Sequence, residues 1–413
     1  MRASRIAAAV LACSTGGAWA ADVEVQSTTL FGGRPDLIDG EVRTVAPIYE
    51  RVGLRARNLR LGGIEDVAVS VDAWGGLILP GSQGSIGASD VNLAFVEGKL
   101  FKKHLKLRLR RQFVTGGTAR ASYFDGLLAE TRGPFGLGLS AFAGIPVERR
   151  FGNLARGDFV FGTRASWGPS IHTEVGLSYL HLLKRGALAR QDVGLDARWQ
   201  PVRSLTLAGA LIWAIADTRI AEFDLGPHWQ PTENVEVLLE YRRTAPELFL
   251  PLTSIFTVFA DTSRDDLGVS LSWAPCRCLS MLGEVRLLWI NGEQGFDAGV
   301  RVGFRPKFSP GTSLTAQAHR LQVPSNGYHQ GRLGARQTLP YGFGVSVDLE
   351  TYALDKPIRG QRWSYSASGT ATWAFNKSWL AGITLFGATT PTFESRYEVV
   401  GKLSYVFAAG GAI

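Results

Sequence analysis

One short pattern recurs along this chain and constrains its fold more than any other feature. An aromatic or apolar residue, a spacer and a proline are followed by an alternating apolar/polar run. It reads Trp167-Gly-Pro169, Trp199-Gln-Pro201, Trp229-Gln-Pro231, Trp273-Ala-Pro275, Phe304-Arg-Pro306 and Leu339-Pro340. Arg132-Gly-Pro134 precedes the series, and the segment starting at Trp373 continues it. Successive anchors mostly lie 30 to 34 residues apart, with one gap of 44. That period is too long for one strand and suits a hairpin of two strands of about 9–11 residues with a tight turn and a loop.

The segments between anchors alternate with period two. Leu105, Leu107 and Leu109 alternate with Lys106, Arg108 and Arg110. Val235, Val237, Leu239 and Tyr241 alternate with Glu236, Leu238, Glu240 and Arg242. Trp363, Tyr365, Ala367, Ala371 and Trp373 oppose Ser364, Ser366, Ser368, Thr370 and Thr372. A soluble sandwich also alternates, but its strands average about five or six residues, and these runs are about twice as long. Tryptophan returns at the same end of the apolar face, where an amphipathic ring suits a membrane interface. The expected fold is an all-β, transmembrane antiparallel β-barrel. Hairpins number ten from the strand near Val67–Ala73 to the last strand, Tyr397–Phe407. Because a weak segment is easily misread, the expectation is about 18 strands, within 16–20.

No stretch of about 18 apolar residues exists to form a membrane helix. Arg2 and Arg5, the apolar Ile6 to Leu11 and the Ala18-Trp19-Ala20 site read as a secretory signal over residues 1–20. Val10-Leu11-Ala12-Cys13 loosely resembles a lipoprotein box, a competing reading of the same segment. Without residues 1–20 the charge count is 42 basic against 36 acidic, or +6. This modest excess, with no concentrated basic patch interleaved with aromatics, points to anionic small molecules or polymers and away from nucleic acid. Residues 21–50 lack the pattern and read as a periplasmic extension, leaving 51–413 for the barrel. Residues 243–264 are apolar for an exposed loop. Cys276 and Cys278 follow Pro275; a bridge between them would close a small ring, and the spacing reads as turn decoration.

The last strand, through Leu403, Tyr405 and Phe407, resembles the terminal strand recognised by the outer-membrane assembly machinery, except that Ala408 to Ile413 follow it. Leu109-Arg110-Arg111-Gln112, followed by Asp125-Gly126, resembles the Gly-Arg-Gln strand end and Asp-Gly pair of Gram-negative porin-like proteins, with Arg110 at the family's usual glycine. By parity Arg110 and Gln112 point into the lumen and Arg111 outward. The resemblance implies an outer-membrane location, the lipid bilayer and the assembly machinery as partners, and no particular substrate.

No nucleotide loop, zinc-protease motif or nucleophile elbow is present, and the six histidines have no ligand spacing. No enzyme activity, metal or cofactor is expected; a Ser–His pair such as Ser313 with His319 is most simply chance. The candidate lumen-lining, anion-selecting residues are Lys106, Arg108, Arg110, Gln112, Arg198, Arg242, Arg286, Arg301 and Arg305. Asp192, Asp196, Glu236, Glu240, Glu284, Asp297, Asp348 and Glu350 share the inward parity. Inward charges either pair across strands or set a selective field; Lys106, Arg108 and Arg110, with no acid between them, are the best candidate stripe. The interface aromatics are Trp167, Trp199, Trp229, Trp273, Phe304 and Trp373. The leading expected function is a conduit for export of an anionic exopolysaccharide with a separate periplasmic partner, as a resemblance to wide, basic-lined polysaccharide-export barrels suggests. The alternatives are a diffusion porin for small charged solutes and an outer-membrane anchor of a motility or adhesion complex.

Overall fold

The computed structural model describes residues 22–38, 41–61, 64–80, 86–101, 104–147, 158–245, 263–290, 292–391 and 395–409. The expected signal over 1–20 and residues 246–262 of the apolar 243–264 segment lie outside them.

One antiparallel sheet of 22 strands makes the whole structure. In chain order the strands are β1 Asp22–Ile38, β2 Glu41–Leu61, β3 Ile64–Pro80, β4 Ile86–Leu100, β5 Leu105–Thr115, β6 Ala121–Arg132, β7 Leu137–Pro146, β8 Phe159–Ser170, β9 Thr173–Lys184, β10 Ala187–Val202 and β11 Leu205–Ala214. The second half comprises β12 Arg219–Thr232, β13 Val235–Thr244, β14 Arg264–Cys276, β15 Leu279–Ile290, β16 Glu293–Phe304, β17 Thr312–Gln322, β18 Gly327–Thr338, β19 Phe343–Ile358, β20 Gln361–Ala374, β21 Trp379–Thr389 and β22 Arg396–Ala409. Each strand pairs with its sequence neighbour, and β1 closes onto β22 from Val23 opposite Ala409 to Gly33 opposite Val399. Closure removes the sheet edges, so every strand has hydrogen-bonding partners on both sides. With strands about 4.8 Å apart and tilted about 40°, a circular barrel of this strand number is roughly 45 Å across between backbones.

The strand number exceeds the expected 18. The ten hairpins from β3 to β22 are all present, and residues 22–50, expected to be an extension, form β1 and the first half of β2 in the wall. Their outward face hid them. It carries Ser27, Thr29 and Glu50, with Ser27 Oγ donating to Glu50 Oε1 at 2.5 Å and Thr29 donating to the other oxygen. This local polar satisfaction replaces the apolar alternation that marks the other strands.

The recurring tryptophan–proline pattern has one structural explanation. Trp167 opposes Val175, yet Ser170 opposes Thr173. The same one-residue excess follows Trp199, Trp229 and Trp273. Each is a bulge at the last pairs of a hairpin, and proline sits in it because it has no N–H to give the ladder. All these bulges lie on the rim where β1 begins and β22 ends. The longer connections lie on the opposite rim, which makes the turn rim periplasmic. Trp167, Trp199, Trp229, Trp273, Phe304 and Trp373 are all exposed on the outward face there. In β20, Trp363 and Trp373 both face outward, ten residues apart. That spacing is about 33 Å along the strand, or about 25 Å along the membrane normal, the height of a lipid-facing band.

Cys276 and Cys278 are joined by a disulfide across the β14–β15 turn, with Cα atoms 5.2 Å apart. The turn position agrees with expectation, and the bridge is an addition to it.

Candidate functional site: the charged lumen

Period-two pleating sends every second side chain inward, and the inward set is polar. Lys106, Arg108 and Arg110 do line the lumen from β5, but two of the three are neutralised by neighbouring strands. Lys106 Nζ is 2.6 Å from Glu130 and 3.6 Å from Glu97, while Arg108 Nη2 is 2.6 Å from Glu97. The Arg108 guanidinium also lies 4.5 Å over the Phe95 ring. The stripe looked uncompensated because its acids stand on β4 and β6. Arg110 is exposed and makes no ion pair among the described residues.

The same compensation holds elsewhere. Arg242 contacts Asp224 at 3.1 Å and also Glu240, and Arg286 approaches Glu240 at 3.7 Å. Arg164 pairs with Asp196 at 2.5 Å and Arg332 with Asp348 at 2.9 Å. Among the described residues Arg301 reaches the Gln317 side-chain oxygen, at 3.2 Å and 3.3 Å, and no carboxylate. Arg198 is exposed without an ion pair among the described residues. Arg305, expected in the lumen, lies instead in the turn after β16, because that strand ends at Phe304.

The uncompensated cations cluster by height. Arg132, Arg198, Arg301 and Arg336 point inward from the periplasmic ends of β6, β10, β16 and β18, exposed and with no ion pair among the described residues; Glu174, opposite Arg198 across the β9–β10 ladder, is taken by Arg164 at 2.9 Å. Arg55 and Arg57 add two more inward guanidinium groups at this level from β2, each offset by an acid, Glu24 and Asp22, across the β1–β2 ladder. Arg203, Arg277, Arg305, Lys307 and Lys377 occupy the exposed turns of the same rim, where Glu233 is the only acid among the described turn residues. The periplasmic mouth is therefore basic, while the middle of the lumen is charge-paired.

On the opposite side, the β5–β6 connection folds inward. Gly116 and Gly117 have φ of 101° and 53°, and Arg120 has φ of 50°. A Cβ on Gly117 would lie 2.4 Å from Ser178 Oγ, so glycine is needed for this approach. Thr118 N–H donates to Ser178 Oγ at 3.0 Å, and Arg190 donates to the Thr118 carbonyl at 3.3 Å. Arg120 reaches Glu222 on β12 at 2.8 Å. Burial, reinforced by nearby Arg190, pulls the Arg120 guanidinium down to about 10 against Glu222 and Asp192. The loop covers an apolar lumenal cluster of Ala119, Phe124, Leu128, Phe142, Val160 and Leu180. Sequence reasoning missed this loop; Gly116-Gly117 directly after a strand was its one signal.

The porin-like motif assembles beside it. Arg111 forks onto Asp125, Nε to Oδ1 at 3.1 Å and Nη2 to Oδ2 at 3.0 Å, and also reaches Asp90 at 3.0 Å. Gln112 is fully buried and donates to the Gly126 carbonyl at 3.0 Å. Arg110 has φ of 85°, a conformation that favours glycine. Elsewhere in the lumen, Asp297 pairs with His319, and Tyr352 donates to Glu350 at 2.8 Å. His319 is thus partnered by a carboxylate.

A closed antiparallel wall with an apolar exterior, two aromatic levels and a polar interior defines an outer-membrane β-barrel with a channel-type lumen. One solved structure shares the fold. The translocation pore of the P pilus usher (PapC) aligns with a TM-score of 0.55 at 9% identity, covering 93% of this chain and 99% of that one. OccAB3 of Acinetobacter baumannii aligns with a TM-score of 0.46 at 11% identity, covering 94% and 99% of the two chains. No protein-family model matches the sequence. No curated protein matches it either.

Proposed function

We propose that this barrel is an export conduit for an anionic polymer, most simply an acidic exopolysaccharide, handed over by a separate periplasmic partner. The basic periplasmic mouth carries this reading. A flexible polyanion is drawn to a ring of uncompensated guanidinium groups at its point of capture. A lumen whose remaining charges are mostly internally paired then lets it pass without tight binding. The width expected for 22 strands accommodates a hydrated chain.

A diffusion porin for small charged solutes is the second reading. Its support is the inward-folded 116–120 loop, which narrows one sector of the lumen.

Single-channel recording of the purified barrel in planar bilayers tests both. The export reading expects steady anion-selective conductance, blocked by an acidic glycan added on the periplasmic side. Anion-selective conductance that a long glycan leaves untouched, with permeation of small organic anions, supports the porin. A barrel that conducts nothing overturns both.

A further inference from the structure

The outward face of β14–β20 departs from the convex, Leu- and Trp-studded belt around it. A groove of about 920 Å³ runs across it, bounded by Leu271 and Val285 on one side and Trp363 on the other. Its floor follows from register. One row across the strands reads Gly283, Val300, Ala318, Gly331, Thr351 and Tyr365, so the centre carries small side chains. The next row toward the extracellular rim reads Val285, Ala298, Arg320, His329, Ala353 and Trp363.

Two basic side chains thus stand directly opposite each other on a lipid-facing surface, level with the extracellular tryptophan. Arg320 is held by Asp355 at 2.7 Å and 2.8 Å, which fixes its position and cancels its charge. His329 and Arg362 also line the groove; Arg362 donates to the Leu354 carbonyl at 3.2 Å and makes no ion pair among the described residues. Lys356 and Arg359 add exposed positive charge at the adjoining hairpin. An apolar trough in the outer-leaflet half of the wall, with net positive charge at the headgroup level, matches one ligand chemistry: acyl chains below and phosphate above.

We propose that this groove is a binding site for a phosphorylated, multiply acylated glycolipid of the outer leaflet. The acyl chains lie on Ala298, Ala318 and Gly331, and a phosphate is received by Arg362 and His329. Charge complementarity favours the lipid over a second copy of the chain. In a two-fold interface through this face, the cationic residues at the groove's extracellular end (His329, Arg362, Lys356 and Arg359) would face their own images, where like charges repel.

The test is native mass spectrometry of the full-length barrel, exchanged into detergent and titrated with diphosphoryl lipid A or its dephosphorylated form. The expected result is one retained lipid per barrel, with the diphosphoryl form binding about tenfold more tightly. Arg362→Gln with His329→Gln abolishes that preference, and Ala318→Leu, which fills the floor, weakens both forms. Heat-modifiable migration in gels confirms that each variant is folded. Equal affinity for both forms overturns the phosphate assignment. A barrel that retains no lipid, or dimerises through this face and loses the dimer in Ala318→Leu, overturns the proposal.

Discussion

Arg111 on β5 and Asp125 on β6 form a two-pronged ion pair across adjacent strands, beside the fully buried Gln112 that donates to Gly126. Both charged side chains are mostly shielded, at 18% and 31% exposure. A forked guanidinium–carboxylate pair in that setting contributes more than an exposed one. A double-mutant cycle of Arg111→Ala and Asp125→Ala, read by urea unfolding in lipid vesicles with tryptophan fluorescence, should give a coupling of about 1 kcal/mol. Zero coupling would reduce the pair to a surface decoration.

Arg110 offers the opposite prediction. Its φ of 85° strains any side-chain-bearing residue, and it makes no ion pair among the described residues. Arg110→Gly should stabilise the barrel by about 1 kcal/mol in the same unfolding assay.

Gly126 permits no side chain. A Cβ there would stand 2.0 Å from the Ala143 carbonyl oxygen, a backbone atom that cannot swing away. Gly126→Ala should cost about 2 kcal/mol and lower the yield of heat-modifiable barrel. An unchanged midpoint would show that β6 and β7 can separate locally.

The inward loop should make conductance pH-dependent. The Arg120 guanidinium is drawn down to about 10, so it titrates well below the ordinary arginine range. The folded state releases this proton before the unfolded state does. The charge therefore opposes docking of the loop below about pH 10, and that penalty fades as pH rises through 10 toward the ordinary arginine range. Single-channel noise from a mobile loop should fall between pH 9 and 11. Arg120→Gln should remove the pH dependence, and Glu222→Gln should increase the noise at pH 8.

At the periplasmic mouth, Arg198→Gln, Arg301→Gln and Arg336→Gln together should roughly halve the anion/cation permeability ratio measured from reversal potentials. Lys106→Gln, whose charge is already matched by Glu97 and Glu130, should leave that ratio nearly unchanged. The reverse order of effects would return the selectivity to the β5 stripe.

Much of the wall is legible in one dimension because pleating has period two and the bilayer demands one apolar face. Val235 to Tyr241, or Trp363 to Trp373, declare their strand, their outward face and the rim at which they end. The tryptophan–proline bulges even declare which rim has the tight turns. Residues 22–50 escaped because Ser27, Thr29 and Glu50 satisfy one another on the outward side, a relation between strands that alternation cannot register. Lys106 and Arg108 read as bare charges for the same reason: their carboxylates come from Glu97 and Glu130 on adjoining strands. The sequence by itself determined an alternating, membrane-facing barrel, since that information is local and repeats every second residue. The tertiary structure decided strand number, which charges remain unmatched, and where the wall is hollow, since each depends on register between strands that close into a ring.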